Sequence, residues 1–506
     1  EVAGHHYGLV VIDGLEPGSE HEYQVSLDGA VQWPVPDSGF PASVLRTLDP
    51  DRPARLAFGS CRAIKVAPRR RSARAAAQGD PAHVDALAAC ALTLRETARD
   101  EWPDVLLMIG DQVYADNPGP GTRAFIARRR DPASPPVNEV ADFEEYCALY
   151  QEAWSDPLVR WLLSVVPTAM IFDDHDVHDD WNISGAWRRE YQAKPWGQSR
   201  IEGAYMSYWI YQHLGNLSPA ELGADETWGQ MRREQRAEVL RDLARRADER
   251  APGIRWSFRR TFGKVRVVVI DSRSRRVVDG GKRLMADEGE WQWVTESVSG
   301  DWEHVVLATS VPPLLPRGIH ALEAWNEAVS DGVWGMRFAR FGERLRQALD
   351  LEHWPAFGAS FAQLEQLLTG LATGAHGTPP ASLTIISGDI HHSYLAAVDL
   401  PAGTRSRTAI YEAVCSPFHQ TMPKMMQRGQ RLASTKTGGL IGAAVARLAG
   451  AVPPAIRWRI TQGPWFENML ATLTYDDRAA SVRFDQTTDA SSGSPRLTSA
   501  YEKRLS

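Results

Sequence analysis

Short apolar runs set the limits on what this chain can fold into. Val105–Ile109 and Val265–Ile270 are nearly continuous stretches of branched and aliphatic residues. Both fall far short of the ~20 residues that cross a bilayer. They read instead as strands buried on both faces. Arg55–Phe58, Thr168–Phe172, His304–Thr309 and Leu383–Ser387 are further strand candidates. Between them, Pro81–Arg99 and Phe143–Trp154 space their apolar residues as helices do. Strands alternating with helices predict an α/β fold with a mainly parallel sheet covered on both faces. Ligands in such folds gather at the C-terminal ends of the strands.

The chain has 506 residues, more than one compact core accommodates, and fits two or three structural units. Its net charge of −7 argues against a general polyanion binder, so nucleic acid is not an expected partner. No secretory signal or membrane span is visible. The first residue is Glu, so the reading is cytoplasmic if that start is native and exported if a leader was removed. Cys90, Cys147 and Cys415 lack disulfide or zinc-ribbon spacing and read as reduced, buried thiols. The basic runs Arg69–Arg71 with Arg74, and Arg128–Arg130, read as solvated loops; the alternative is a rim that attracts an anionic substrate.

Residues 1–50 form a different unit. Tyr7–Ile12 and Glu22–Leu27 alternate and end at the turn pairs Asp13-Gly14 and Asp28-Gly29. The phrase Leu15-Glu16-Pro17-Gly18 suits a fibronectin-like sandwich, here with too few strands to be complete. Residues 51–506 form the main domain. Near its end Met469–Tyr475 and Ser481–Phe484 predict an antiparallel hairpin on a sheet edge.

Four strand candidates are followed at once by polar words: Gly59-Ser60-Cys61-Arg62, Gly110-Asp111-Gln112-Val113-Tyr114-Ala115-Asp116, Asp173-Asp174-His175-Asp176-Val177-His178-Asp179-Asp180 and Gly388-Asp389-Ile390-His391-His392. One Gly-Asp after a strand is only a turn signal. Four strand ends each delivering Cys, Asp or His suggest more. Carboxylates packed this closely repel unless a cation neutralises them. Paired cations suit phosphate esters, because they screen the phosphoryl charge, lower the pKa of a bound water and hold the leaving oxygen.

These words, with Asp271-Ser272-Arg273, resemble in order and type the alkaline phosphatase D (PhoD-like) family of metallophosphatases, over about residues 55–420. The resemblance implies a four-layer αββα metallophosphatase sandwich preceded by a partial small β-sandwich. It also implies iron(III) beside calcium. Cys61, Asp111, Tyr114 and His391 would hold the iron, since thiolate and phenolate suit it. Asp111 would bridge to calcium, held also by Asp174 and Asp389. A dinuclear manganese or zinc site is the alternative. His175 would be the acid, and Arg62 and Arg273 the phosphate clamp. The family often has paired asparagines after its Asp-Asp-His word; Asp179-Asp180-Trp181-Asn182 stands here instead. This leaves Asp173, Asp176, His178, Asp179 and Asp180 without fixed roles. His392 reads as an orienting neighbour, Trp325 as core, and His320 and His419 stay unassigned.

The expected activity is hydrolysis of a small or polymeric phosphate ester, monoester or diester, by a metal-bound hydroxide. Its rival is a non-catalytic binding protein in which ions only staple loops.

Overall fold

The computed structural model describes residues 1–35, 38–64, 84–279, 281–420, 422–489 and 495–506. The basic run at 69–74 lies outside the described residues. Strands β1 (Glu20–Glu22), β2 (Val25–Leu27), β3 (Ala30–Trp33) and β4 (Val44–Arg46) open the chain. β1 pairs with β4 and β2 with β3, both antiparallel, and neither pair joins a larger sheet. The run at 7–12 forms no strand: Val10 is 80% exposed, and among the described residues no ladder partner lies beside it. Alternation favours a pleated surface only where something covers one face. The run at 22–27 breaks at Tyr23, whose hydroxyl donates to the Ser164 carbonyl at 2.8 Å.

The remaining strands are β5 (Ala54–Gly59), β6 (Val105–Ile109), β7 (Thr168–Ile171), β8 (Phe258–Phe262) and β9 (Val265–Ile270). Then follow β10 (His304–Thr309), β11 (Ser382–Ser387), β12 (Ser393–Asp399) and β13 (Ala409–Val414). The last four are β14 (Arg457–Trp465), β15 (Met469–Asp476), β16 (Ala479–Asp489) and β17 (Pro495–Arg504). They build two sheets rather than the one the apolar runs predict. One has the order β17-β16-β15-β5-β6-β7, the other β14-β12-β13-β11-β10-β9-β8. The first is parallel across β5-β6-β7, ending at the edge strand β7, with antiparallel strands on the β5 side; the second is parallel in β9-β10-β11-β13, with antiparallel strands at both ends.

Strand alternation explains how the sheets meet. Leu107 and Ile109 of β6, Val267 and Val269 of β9, and Ala471 of β15 share one buried cluster. The intervening Leu106 and Met108 pack with the helix Ala86–Glu96 and the helix Pro157–Val165. Val268 and Ile270 pack with the helix Glu288–Val298 and the helix Gly358–Thr373. The inward residues of both sheets therefore form a common core, and the outward ones lie under helices. The predicted C-terminal hairpin is β15 and β16, seated on β5 and extended by β17. Arg128 and Arg129 end the helix Pro120–Arg129 instead of lying in a loop. That helix buries only Thr122 and Ile126, too sparse a stripe to betray it in sequence. Arg129 pairs with Asp142 and Glu145, and Arg130 with Glu145.

Candidate metal centre at the strand ends

The polar words follow β5, β6, β7, β9 and β11, so both sheets contribute to one place. Close approach of their loops needs glycine. Gly110 has φ +149°, and a Cβ there would lie 2.7 Å from Cβ of Ser60; a Cβ on Gly388 would collide with the Ser60 hydroxyl. That hydroxyl accepts from the Asp389 amide at 3.0 Å. The Cys61 thiol donates to the Asp389 carbonyl at 3.4 Å. Cys61, Asp389 and His391 have φ of 59°, 63° and 53°. Three left-handed non-glycine residues at one spot hold backbone strain there.

Two ligand groups result. Donor atoms of Cys61, Asp111 and His391 lie within 4.8 Å of one another, and so do those of Asp111, Asp174 and Asp389. Asp111 belongs to both. Asp174, His175 and Asp179 make a third such group. Tyr114 is buried beside the first, its ring 4.5 Å from that of His175. The Asp111 Oδ2 and the Tyr114 hydroxyl are buried without a hydrogen-bond partner, as are Asp173 Oδ2 and Asp180 Oδ1. Burial, and then mutual repulsion among Asp111, Asp174, Asp173 and Asp389, pushes the Asp111 carboxyl well above its ordinary range. Burial, with Asp111 and Asp389 nearby, does the same to the Cys61 thiol. Orphaned acceptors and crowded anions are what a cation site leaves when only its protein groups are considered. The donor set fits two cations, one of them with sulfur and phenol at hand.

Arg273 is fully buried among these carboxylates. It donates to Asp173 and to Glu352, and to Asp174 Oδ1 at 3.1 Å; its guanidinium is 3.8 Å from Asp389. Arg62 is engaged elsewhere. Its Nε meets Asp85 at 2.7 Å and it donates to the Ala153 carbonyl. His175 directs Nδ1 at Asp116 Oδ2, 2.7 Å away, and Nε2 towards Asp179 at 3.7 Å. Burial works against charge on His175, but Asp116, Asp111 and Asp174 together hold its pKa well above the usual histidine value. Burial would raise Asp116, yet His175 brings it down to about 2.

The residues left without roles sort themselves. Asp173 pairs with Arg273. Asp176 accepts from the amides of Gln112 and Asp173 and from Gln212, tying loops together, and burial lifts it to about 7. His178 is packed against Trp187, Tyr191 and Trp196. The Asp180 amide donates to Asp174 Oδ2 at 3.0 Å. His392 donates from Nδ1 to the Ile390 carbonyl. His320 is core, between Phe361 and Trp458, and burial lowers it to about 3. Trp325 is half-buried against Trp334. His419 meets the Ala63 carbonyl at 2.8 Å.

Sequence reasoning missed His353. Its Nε2 lies 3.3 Å from Asp389 Oδ2, and its Nδ1 is held 2.6 Å from Glu323. Neighbouring Glu352 joins Arg273 to Arg276. No strand precedes this pair, so a search of strand ends passes over it; the adjacent Glu-His is its only signal.

Residues 89–276 match the family model of the PhoD-like phosphatases, and residues 1–45 that of a domain of unknown function, DUF7800. A comparison with curated proteins gives no match. Among solved structures, one described as "Structure of PhoD" aligns with a TM-score of 0.55 at 14% identity, covering 97% of this chain and 76% of that chain. The matched segment contains Asp111, Tyr114, Asp174, His175 and Arg273. The fold likeness covers nearly the whole chain. The motif resemblance to PhoD-like phosphatases thus recurs in a family model and in the fold.

Proposed function

We propose that this protein hydrolyses phosphate esters with the help of cations held at the two ligand groups. The observation that carries the reading is Asp111, one carboxylate shared between them. Cys61, Asp111 and His391, with Tyr114, would hold iron(III); Asp111, Asp174 and Asp389 would hold calcium. Such ions, when bound, supply Lewis-acid screening of the phosphoryl oxygens and a water acidic enough to attack. The alternating strands support a four-layer αββα sandwich over residues 51–506, with a separate β unit over 1–50.

The chain's own residues do the rest. Asp116 fixes the ring of His175 and keeps it protonated, so Nε2 can deliver a proton to the departing oxygen. Arg273 locks Asp173, Asp174 and Glu352 in place and sets its positive charge beside Asp389. Its role is therefore to position the carboxylates as well as to attract the phosphoryl group. Arg62 braces the loop that carries Cys61. Attack by a water held by the ions needs no covalent intermediate on the chain, so monoesters and diesters both remain substrates.

The test pairs elemental analysis with a panel of phosphomonoesters and phosphodiesters, for the wild type and Asp111→Asn. The variant should keep its fold, lose metal and lose at least about a thousandfold in kcat, as expected when ions that stabilise the transition state depart. A wild type inactive on every ester with any metal supplied would point to ions that only staple loops.

A further inference from the structure

The helix Lys436–Leu448 is packed inside out. Its small residues face the helix Arg317–Ser330: a Cβ on Gly442 would lie 3.0 Å from Ala321 Cβ and 3.1 Å from the Gly318 carbonyl. Its large apolar residues face solvent. Leu440 is 73% exposed, Ile441 62% and Leu448 75%, and Val452 just beyond is 87% exposed. A surface helix ordinarily does the reverse. The preceding helix, Lys424–Ala433, buries none of its residues and exposes Met425 and Leu432, seven apart on one face. The helix Met336–Ala348 also packs on the Arg317–Ser330 helix, through Gly342 against Val329 and Ser330, and buries Ala339, Gly342 and Arg346. Its exposed side has an apolar stripe, Phe338, Phe341 and half-buried Leu345, beside a basic stripe, Arg337, Arg340 and Arg344. Both stripes follow i, i+3, i+7 spacing.

Charge decides what covers this face. Residues 422–452 contain five basic residues and no acidic one. Arg337, Arg340, Arg344, Lys424, Arg428 and Arg447 form no ion pair among the described residues. The whole chain is net negative, so this is a local reversal of sign. Two copies meeting here would bring cation against cation. An anionic lipid surface would accept the apolar side chains between its headgroups and neutralise the arginines. We infer that the exposed faces of the helices at 336–348, 424–433 and 436–448 form a docking surface for an anionic phospholipid bilayer.

The surface borders the candidate metal centre. Glu323, on the helix these three surround, holds His353 beside Asp389. Glu343 accepts from Ser184, which caps the helix following the Asp173–Asp180 loop. Arg431 stacks over Phe466, whose ring lies 5.7 Å from His392. A docked molecule would hold its centre close to lipid phosphates. That consequence rests on the proposed hydrolysis; the docking itself does not.

Co-sedimentation with vesicles tests it. Wild type should bind vesicles of phosphatidylglycerol and phosphatidylcholine and remain in solution with phosphatidylcholine alone. Leu440→Ser/Ile441→Ser and Phe338→Ser/Phe341→Ser should each weaken binding about tenfold or more, and Arg337→Glu/Arg340→Glu likewise. Circular dichroism and hydrolysis of a soluble ester, if the wild type has it, should not change. Absence of wild-type binding to the anionic vesicles overturns the inference. So does binding that the substitutions leave intact. A dimer seen by light scattering that the serine variants dissolve, without vesicle binding, assigns the face to a second copy and likewise overturns it.

Discussion

Asp116 Oδ2 stands 2.7 Å from Nδ1 of His175 and also accepts the Asp179 amide at 2.8 Å. One carboxylate thus fixes both the ring of His175 and the loop that carries it. Asp116→Asn keeps the shape and removes the charge. Without that charge the histidine's pKa falls, because burial, which disfavours the charged ring, is less opposed. The alkaline limb of the kcat profile should move to lower pH, and kcat should drop about 10–100-fold. Metal content should stay unchanged. A pH–rate profile that keeps its shape would remove His175 from the proton path.

Arg62 is a second point of decision. Its side chain is nearly buried, and its partner Asp85 also caps the helix Ala86–Glu96 through the amides of Leu87 and Ala88. Arg62→Met leaves that carboxylate without its cation. Unfolding should become easier by about 3 kcal/mol, the scale for breaking a buried pair. KM should change by no more than about twofold, since uniform binding is untouched. A large rise in KM at constant melting temperature would return Arg62 to the phosphate clamp.

Cys61→Ser separates the two ligand groups. Only the first contains sulfur. On the proposed loading, the variant should lose iron and its visible thiolate and phenolate absorption, while calcium remains at Asp174 and Asp389. Elemental analysis with an absorption spectrum reads both. An unaltered spectrum would move the iron away from Cys61.

Glu412 belongs to neither donor group, so it reports first on stability. It is fully buried on β13, accepting from Ser387 Oγ at 3.0 Å and from the Leu314 amide at 3.1 Å. Burial lifts its pKa from 4.5 to about 8. Between those two values the folded chain holds a proton that the unfolded chain releases. The stability from the neutral acid is complete below pH 4.5 and disappears as pH rises through about 8. Glu412→Gln should flatten the fall in melting temperature over that range. Equal slopes in the two proteins would mean the carboxyl is already ionised in the fold.

Much of the architecture was legible because buried strands announce themselves. Val265–Ile270 and His304–Thr309 are strands residue for residue, and the helix predicted at Phe143–Trp154 ends at Ala153. The division into two sheets was hidden, because a strand covered on both faces looks the same whether helices or a second sheet cover it. The strand-end words led to Cys61, Asp111, Asp174, Asp389 and His391, which the fold brings together. Glu323 and His353 escaped because they approach from a helix and a loop, where spacing carries no signal. The engagement of Arg62 with Asp85 is a tertiary choice that its own motif does not encode.

β5, near the start of the main domain, pairs along its length with β15, more than four hundred residues later. The strand that aims Cys61 therefore waits, as the chain leaves the ribosome, for about four hundred further residues to be made. Until then β5 has an open edge, and the thiol it carries has no finished cradle. Loading of ions in the proposed centre is thus tied to the emergence of β15, and a chain ended before that strand would lack a working site even with every donor residue already present.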